Sequence, residues 1–231
     1  MIKFLNPHNF AKISIKILPF IAILCILTFA IGLYLALIWS PVDYQQGEMV
    51  RVMYVHVPAA WMSLSVYMFI ALLSLSSIVF RVKLAYILAV SAAPIGASFA
   101  LITLVTGALW GKPMWGTYWV WDARLTSMLI LFLLYLGYIA VTNAGEDIFR
   151  AEKPAAAVAL IGAVNVPIVK FSVDLWNSLH QPASVLKMSG PAIHSSMMLP
   201  LMVMFLAYIL YFITMLILRS NALLKSTTSS V

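Results

Sequence analysis

The chain is 231 residues long, 64% hydrophobic and only 9% charged, with a mean hydropathy of +1.02. Soluble domains carry roughly 25% charged residues, so a soluble globular fold is excluded and the chain reads as an all-α polytopic membrane protein. Its formal net charge of +7, from 14 Lys and Arg against 7 Asp and Glu, suits orientation in a membrane better than binding to nucleic acid.

A bilayer core of about 30 Å takes about 20 apolar residues per helical span, and six runs meet or approach that need. The first, 17–39, is unbroken and uncharged. It is longer than the core of a signal peptide and no small-residue cleavage site follows it, so it is expected to remain in the mature protein. Cys25, inside this run, is the only cysteine, which leaves no disulfide framework, no CxxC pair and no CxxCH site for covalent haem attachment. The second and third runs, 59–80 and 84–109, are joined by the short basic link Arg81 to Lys83. Between the third run and the fourth, 125–142, lies a Trp-rich segment, 110–124, with two glycines and Pro113. The stretch from Gly107 to Pro113 only faintly resembles a phosphate loop. It is one residue short between its glycines and has Pro113 where a Mg²⁺-binding hydroxyl belongs. HExxH, GxSxG and GxGxxG are absent too, so neither ATPase nor other enzymatic activity is expected of this chain. The fifth run, 155–169, is short and contains Asn165 and Pro167, which are tolerated at membrane depth only when packed against other helices. The sixth is 192–218.

Six spans bring both termini to one side. That side collects Lys3, Lys12, Lys16, Arg81, Lys83, Arg150, Lys153, Arg219 and Lys225, whereas the other holds Arg51, Lys112, Arg124, Lys170 and Lys187 in longer connections. The excess of cations predicts both termini in the cytoplasm or its equivalent, with the connections 40–58, 110–124 and 170–191 outside.

The outer side is expected to carry every tryptophan: Trp39, Trp61, Trp110, Trp115, Trp119, Trp121 and Trp176. An interfacial belt accounts for Trp39 and Trp61 but not for the one-sidedness, because belts form at both interfaces. The four between 110 and 121 read as an aromatic platform. His56 in the first outer loop, His180 in the third and His194 at the start of the sixth span share this side. A lone histidine near a helix end is most often a hydrogen-bonded interface residue, the reading retained for His194. Two imidazoles from separate segments, however, can hold a haem iron from both faces while aromatic rings cover the macrocycle. Arg51, Lys112 and Arg124 can then pair with propionates. Asp122 reads equally well as the N-cap of the fourth span and as part of the site, and Arg124 as an interfacial anchor. The 13 methionines lie mostly within spans and are assigned to packing, not ligation.

The run Trp115-Gly-Thr-Tyr-Trp119-Val-Trp121-Asp122-Ala-Arg124-Leu125-Thr126 resembles the WWD signature of a family of haem-handling membrane proteins. On either side, Met53-Tyr-Val-His56-Val-Pro58-Ala-Ala-Trp61 and Trp176-Asn-Ser-Leu-His180-Gln181 resemble the two histidine loops of its cytochrome c maturation protein C (CcmC) members. The resemblance covers nearly the whole chain. It implies a b-type haem, held transiently and without a covalent bond, on the periplasmic or outer face of a bacterial or mitochondrial inner membrane. His56 and His180 would be its axial ligands, with Trp110, Trp115, Trp119, Trp121, Asp122, Arg124 and Arg51 around the porphyrin. The resemblance further implies delivery to the membrane-anchored haem chaperone CcmE during c-type cytochrome biogenesis. An ABC transporter complex of CcmA and CcmB, and the small membrane protein CcmD, would act alongside, and the missing nucleotide motif agrees with a partner using the ATP. Two rival readings stay open: a bis-histidine electron-transfer protein with resident b-type haem, and a cofactor-free permease subunit. Resident haems usually take their histidine pairs from within helices, so a pair expected in loops favours a haem that leaves.

Overall fold

A backbone in hydrocarbon must satisfy its own N–H and C=O groups, so apolar runs of this length form helices. The computed structural model describes residues 6–145, 147–180, 185 and 193–229. Among these the only strand-like feature is an isolated pairing of Asp43 with Gly47. The helices are α1 (Pro7–Tyr34), α2 (Met53–Phe80), α3 (Lys83–Trp115), α4 (Ala123–Thr142), α5 (Glu152–Ala163), α6 (Asn165–Leu175) and α7 (Ser195–Ser229). A π turn, Leu35–Trp39, prolongs α1, and a 3₁₀ turn, Glu48–Val52, leads into α2. Six helical stretches are long and apolar enough to cross a membrane, α5 and α6 together making one of them.

Several boundaries differ from those drawn by hydropathy: α1 begins at Pro7 instead of 17, α7 runs on to Ser229 instead of 218, and three more differences bear on the site. Helix α2 begins at Met53 instead of 59, so His56 sits on a helix and not in the first outer loop. Met53, Tyr54 and Pro58 are buried, and packing of this face carries the helix through residues a composition count treats as connection. Helix α3 continues to Trp115, which makes Trp110, Lys112 and the glycine-containing stretch 107–113 helical; only 116–122 connects it to α4. It stops where Gly116 takes a left-handed conformation (φ 79°) and gives its N–H to the Lys112 carbonyl at 3.0 Å. The fifth span reaches Leu175 but breaks at Val164, because Pro167 has no N–H for the Ala163 carbonyl. Asn165, at that break, is buried and donates from Nδ2 to the Ser127 carbonyl of α4 at 2.8 Å. This is the helix contact that its depth requires. Lys3, Gln181 and Lys187 fall outside the described residues.

Small residues let the helices approach. Ala89, Ala92, Ala93, Gly96 and Ala100 of α3, and Ala155, Ala159 and Gly162 of α5, are buried. Gly96 lies under the Tyr135 ring, where any Cβ would collide. Tyr135 donates to the Ser63 carbonyl (2.6 Å) and Tyr67 to the Val158 carbonyl (3.2 Å), stitching α4 to α2 and α2 to α5. Helix α1 packs mainly on α7. Their far ends meet where Asn221 Nδ2 donates to Ser14 Oγ at 2.9 Å. Arg51 instead ties the start of α2 to the end of α1 through the Ala36 carbonyl and Ser40 Oγ, each at 3.2 Å. The ends of α1, α3 and α6 and the starts of α2 and α4 therefore gather away from the described termini, and the candidate site lies there.

Candidate functional site

His56 stands one turn into α2 with Nδ1 3.0 Å from Thr106 Oγ1 of α3. The Thr106 hydroxyl has a single proton, and it is committed to the Ile102 carbonyl at 2.6 Å. Toward the imidazole the hydroxyl can therefore only accept, which puts the ring proton on Nδ1 and leaves the Nε2 lone pair free. The same ring lies against Gly107, where a Cβ would stand 3.0 Å from its Cε1. Trp110 meets it edge-on, with centroids 5.7 Å apart and planes at 77°. Trp110 is itself held by its Nε1–H, which donates to Gln46 Oε1 at 2.9 Å.

His180 follows α6 and reaches the start of α4. Its Nδ1 is 3.0 Å from Asp122 Oδ2. Asp122 divides its two oxygens: Oδ1 caps α4 by accepting the Leu125 N–H at 2.8 Å, while Oδ2 accepts from Ser178 and His180. Ser178 Oγ in turn accepts the His180 backbone N–H at 3.1 Å. Burial alone would raise the Asp122 carboxyl, but hydrogen bonds from Ser178, Leu125 and His180 hold it below its ordinary value. Burial pushes the His180 imidazole down, and Asp122 only partly offsets that. At neutral pH a carboxylate thus faces a neutral imidazole. An ionised carboxylate only accepts, so His180 also carries its proton on Nδ1 and presents Nε2. Trp115 lies edge-on to this ring, with centroids 4.7 Å apart and planes at 65°.

The structure thus brings His56 against Trp110, and His180 against Trp115 and Asp122, in two clusters at neighbouring helix ends. Trp119 and Trp121 meet edge to face at 5.4 Å. The Trp119 indole N–H is buried without a hydrogen-bond partner among the described residues, whereas Trp121 is 77% exposed. Arg124 reaches across to α6, with Nε 3.2 Å from Ser172 Oγ and Nη2 3.5 Å from the Lys170 carbonyl. Arg51, besides holding the end of α1, pairs with Glu48. Lys112 Nζ donates to the Gly116 carbonyl at 3.0 Å and lies over the Tyr118 ring. His194 is exposed, its Nδ1 2.7 Å from Ser196 Oγ at the start of α7. Thr106, Gly107, Ser178 and Gln46 are the participants that sequence reasoning misses. Ser178, two residues before a histidine, has the spacing of a hydroxyl that hydrogen-bonds its own backbone; nothing distinguishes Thr106 and Gly107 within an apolar run.

Among the described residues no group of three or more His, Cys, Asp or Glu side chains is arranged to hold a bare metal ion. Two imidazoles with free Nε2 atoms instead fit an iron that brings its own equatorial ligands, as haem does. Flat indoles beside both rings fit a macrocycle, and the unpartnered Trp119 N–H fits an acceptor such as a propionate.

A family model described as "Heme exporter protein C" (CcmC) matches residues 1–230. The chain is similar to "Heme exporter protein C" of Bradyrhizobium diazoefficiens, 50% identical over 93% of this chain and 81% of that protein. It is 43% identical to "Heme exporter protein C" of Escherichia coli K12, over 82% of this chain and 78% of the relative. A protein of Marchantia polymorpha named "Putative cytochrome c biosynthesis ccmC-like mitochondrial protein" is 44% identical over 91% of this chain and 88% of its own length.

Proposed function

This chain belongs to the CcmC family of haem exporter protein C, and from that premise we propose that it binds haem between His56 and His180 and hands it on during c-type cytochrome maturation. The observation that carries this reading is the common state of the two imidazoles. Each has its Nδ1 beside a fixed acceptor, and neither Nε2 has a hydrogen-bond partner among the described residues, the state in which a histidine ligates iron. Trp110 and Trp115 buttress those rings, while Trp119, Trp121 and Arg124 supply apolar area and charge at the porphyrin edge. Arg51 reaches a propionate only by exchanging its present partners. The cargo in this reading is a b-type haem without covalent attachment, since the sole cysteine, Cys25, lies buried in α1.

The site faces the periplasm or its mitochondrial equivalent, with both termini on the cytoplasmic or matrix side. The acceptor is the haem chaperone CcmE; CcmA, CcmB and CcmD accompany the protein in the membrane, CcmA supplying the ATP chemistry. A resident-haem electron carrier is the second reading, and the helical setting of His56 removes half of the loop argument against it. What favours transfer is that His180 lies in a connection and that Trp121, next in the chain to its partner Asp122, stands exposed.

The test replaces His56 and His180 singly by Gly in haem-replete protein. Each variant should lose the low-spin spectrum and recover it when imidazole fills the open coordination position. Spectra identical to the parent in both variants would remove these residues as ligands.

A further inference from the structure

The two histidines share a tautomer but not a partner. Behind His180 stands an ionised carboxylate, anchored by the N-cap of α4 and by Ser178. Behind His56 stand only uncharged oxygens, the Thr106 hydroxyl, whose proton already serves the Ile102 carbonyl, and the Thr103 backbone. A carboxylate accepting the Nδ1–H draws that proton toward itself, giving the ring imidazolate character and a more basic Nε2; a threonine oxygen is a far weaker acceptor. The mountings differ as well. His56 is rooted in α2 between Gly107 and Trp110, whereas His180 lies beyond the end of α6 and is held from the start of α4 by Asp122 and from the end of α3 by the Trp115 ring.

We propose that the two axial ligands are unequal by construction: His180 is the strong ligand that retains the haem, His56 is the weak ligand that releases the iron first, and Thr106 is the positioning residue that keeps His56 aligned without strengthening it. The proposal rests on the ligation reading above. In the release step the Fe–Nε2 bond of His56 breaks and the electron pair returns to Nε2. The proton stays on Nδ1, donated to Thr106 Oγ1, the iron keeps its oxidation state, and one axial position opens. No proton or electron is exchanged. The opened face is the one an acceptor's ligand can occupy while His180 still holds the other.

The experiment uses the full-length protein loaded with haem b. It compares His56→Gly, His180→Gly, Asp122→Asn, Thr106→Val and Thr106→Ser. Asn is as good an N-cap as Asp, so Asp122→Asn removes the charge and spares α4; Val copies the shape of Thr without its acceptor. Loss of haem to excess apomyoglobin reports retention, and imidazole ¹⁵N shifts of the apo protein report the tautomers. His56→Gly should hold its haem as a five-coordinate species, and His180→Gly should give its haem up to apomyoglobin faster. Asp122→Asn should weaken retention by about 10- to 100-fold. Thr106→Val should convert low-spin haem to high-spin with a smaller loss of retention, and scramble the His56 tautomer, with Thr106→Ser restoring both. Equal retention in the two glycine variants, a larger effect of Thr106→Val than of Asp122→Asn, or an Nε2-protonated His56 in the parent apo protein overturns the proposal. If neither glycine variant changes the low-spin spectrum, the ligation reading itself fails, an outcome distinct from a failure of the ranking alone.

Discussion

Asp122 does two things with one carboxylate, and each oxygen explains a different dependence. The Oδ1 cap stabilises α4 by about 1 kcal/mol, the usual worth of such a cap, while Oδ2 fixes His180. Both groups have depressed values in the folded protein, so the signs agree. For His180, the unfolded state binds the extra proton more readily, and its contribution to stability is full above the ordinary histidine range and is lost as pH falls through 6.5 and below. For Asp122, the contribution is present above the ordinary carboxyl value of 3.8 and is lost as pH falls through its lower folded value. In the apo protein, the His180 imidazole should therefore titrate by NMR with a midpoint below 6.5; a midpoint at or above 6.5 would contradict the burial that keeps it neutral. The cap was legible in the sequence as one of two equal readings of Asp122, and Oδ1 makes it. The tautomer of His56 was not, because Thr106 is 50 residues away and meets it only when α2 packs on α3.

Helix α3 links packing to the site. Its small residues seat it against α2 and α4, and its last turns deliver Gly107, Trp110 and Trp115 to the two histidines. Gly107→Ala separates these roles. Within a helix Ala is favoured over Gly by about 1 kcal/mol, so thermal stability should hold or rise. The new Cβ, 3.0 Å from His56 Cε1, pushes the ring off its mark, so haem content should fall at least several-fold. Unchanged haem content with unchanged stability would mean that His56 tolerates displacement, contrary to a positioned ligand. The apolar runs announced every spanning helix but not its ends. Hydropathy marks where side chains turn polar, whereas α3 runs on until Gly116 caps its last turn. The break of the fifth span was foreshadowed by Pro167, and the partner of Asn165 was not, since it is a backbone carbonyl of α4.

At the scale of the molecule, six spans gather both histidine clusters at one end of the bundle and the start of α1 and the end of α7 at the other. In the proposed orientation, which rests on the excess of cations at the opposite end, the histidines lie outside. Reporter fusions after residues 46, 119 and 180 should report the periplasmic side, and fusions after 82 and 225 the cytoplasmic side; a cytoplasmic reporter at 119 would invert the arrangement. Delivery is the central claim, and the absorption spectrum of haem-loaded protein before and after mixing with the apo haem chaperone tests it most directly. The account predicts a low-spin bis-histidine Soret band that this protein loses as the chaperone gains haem. A band that persists unchanged beside a competent chaperone, or no band at all after haem-replete expression, would contradict it.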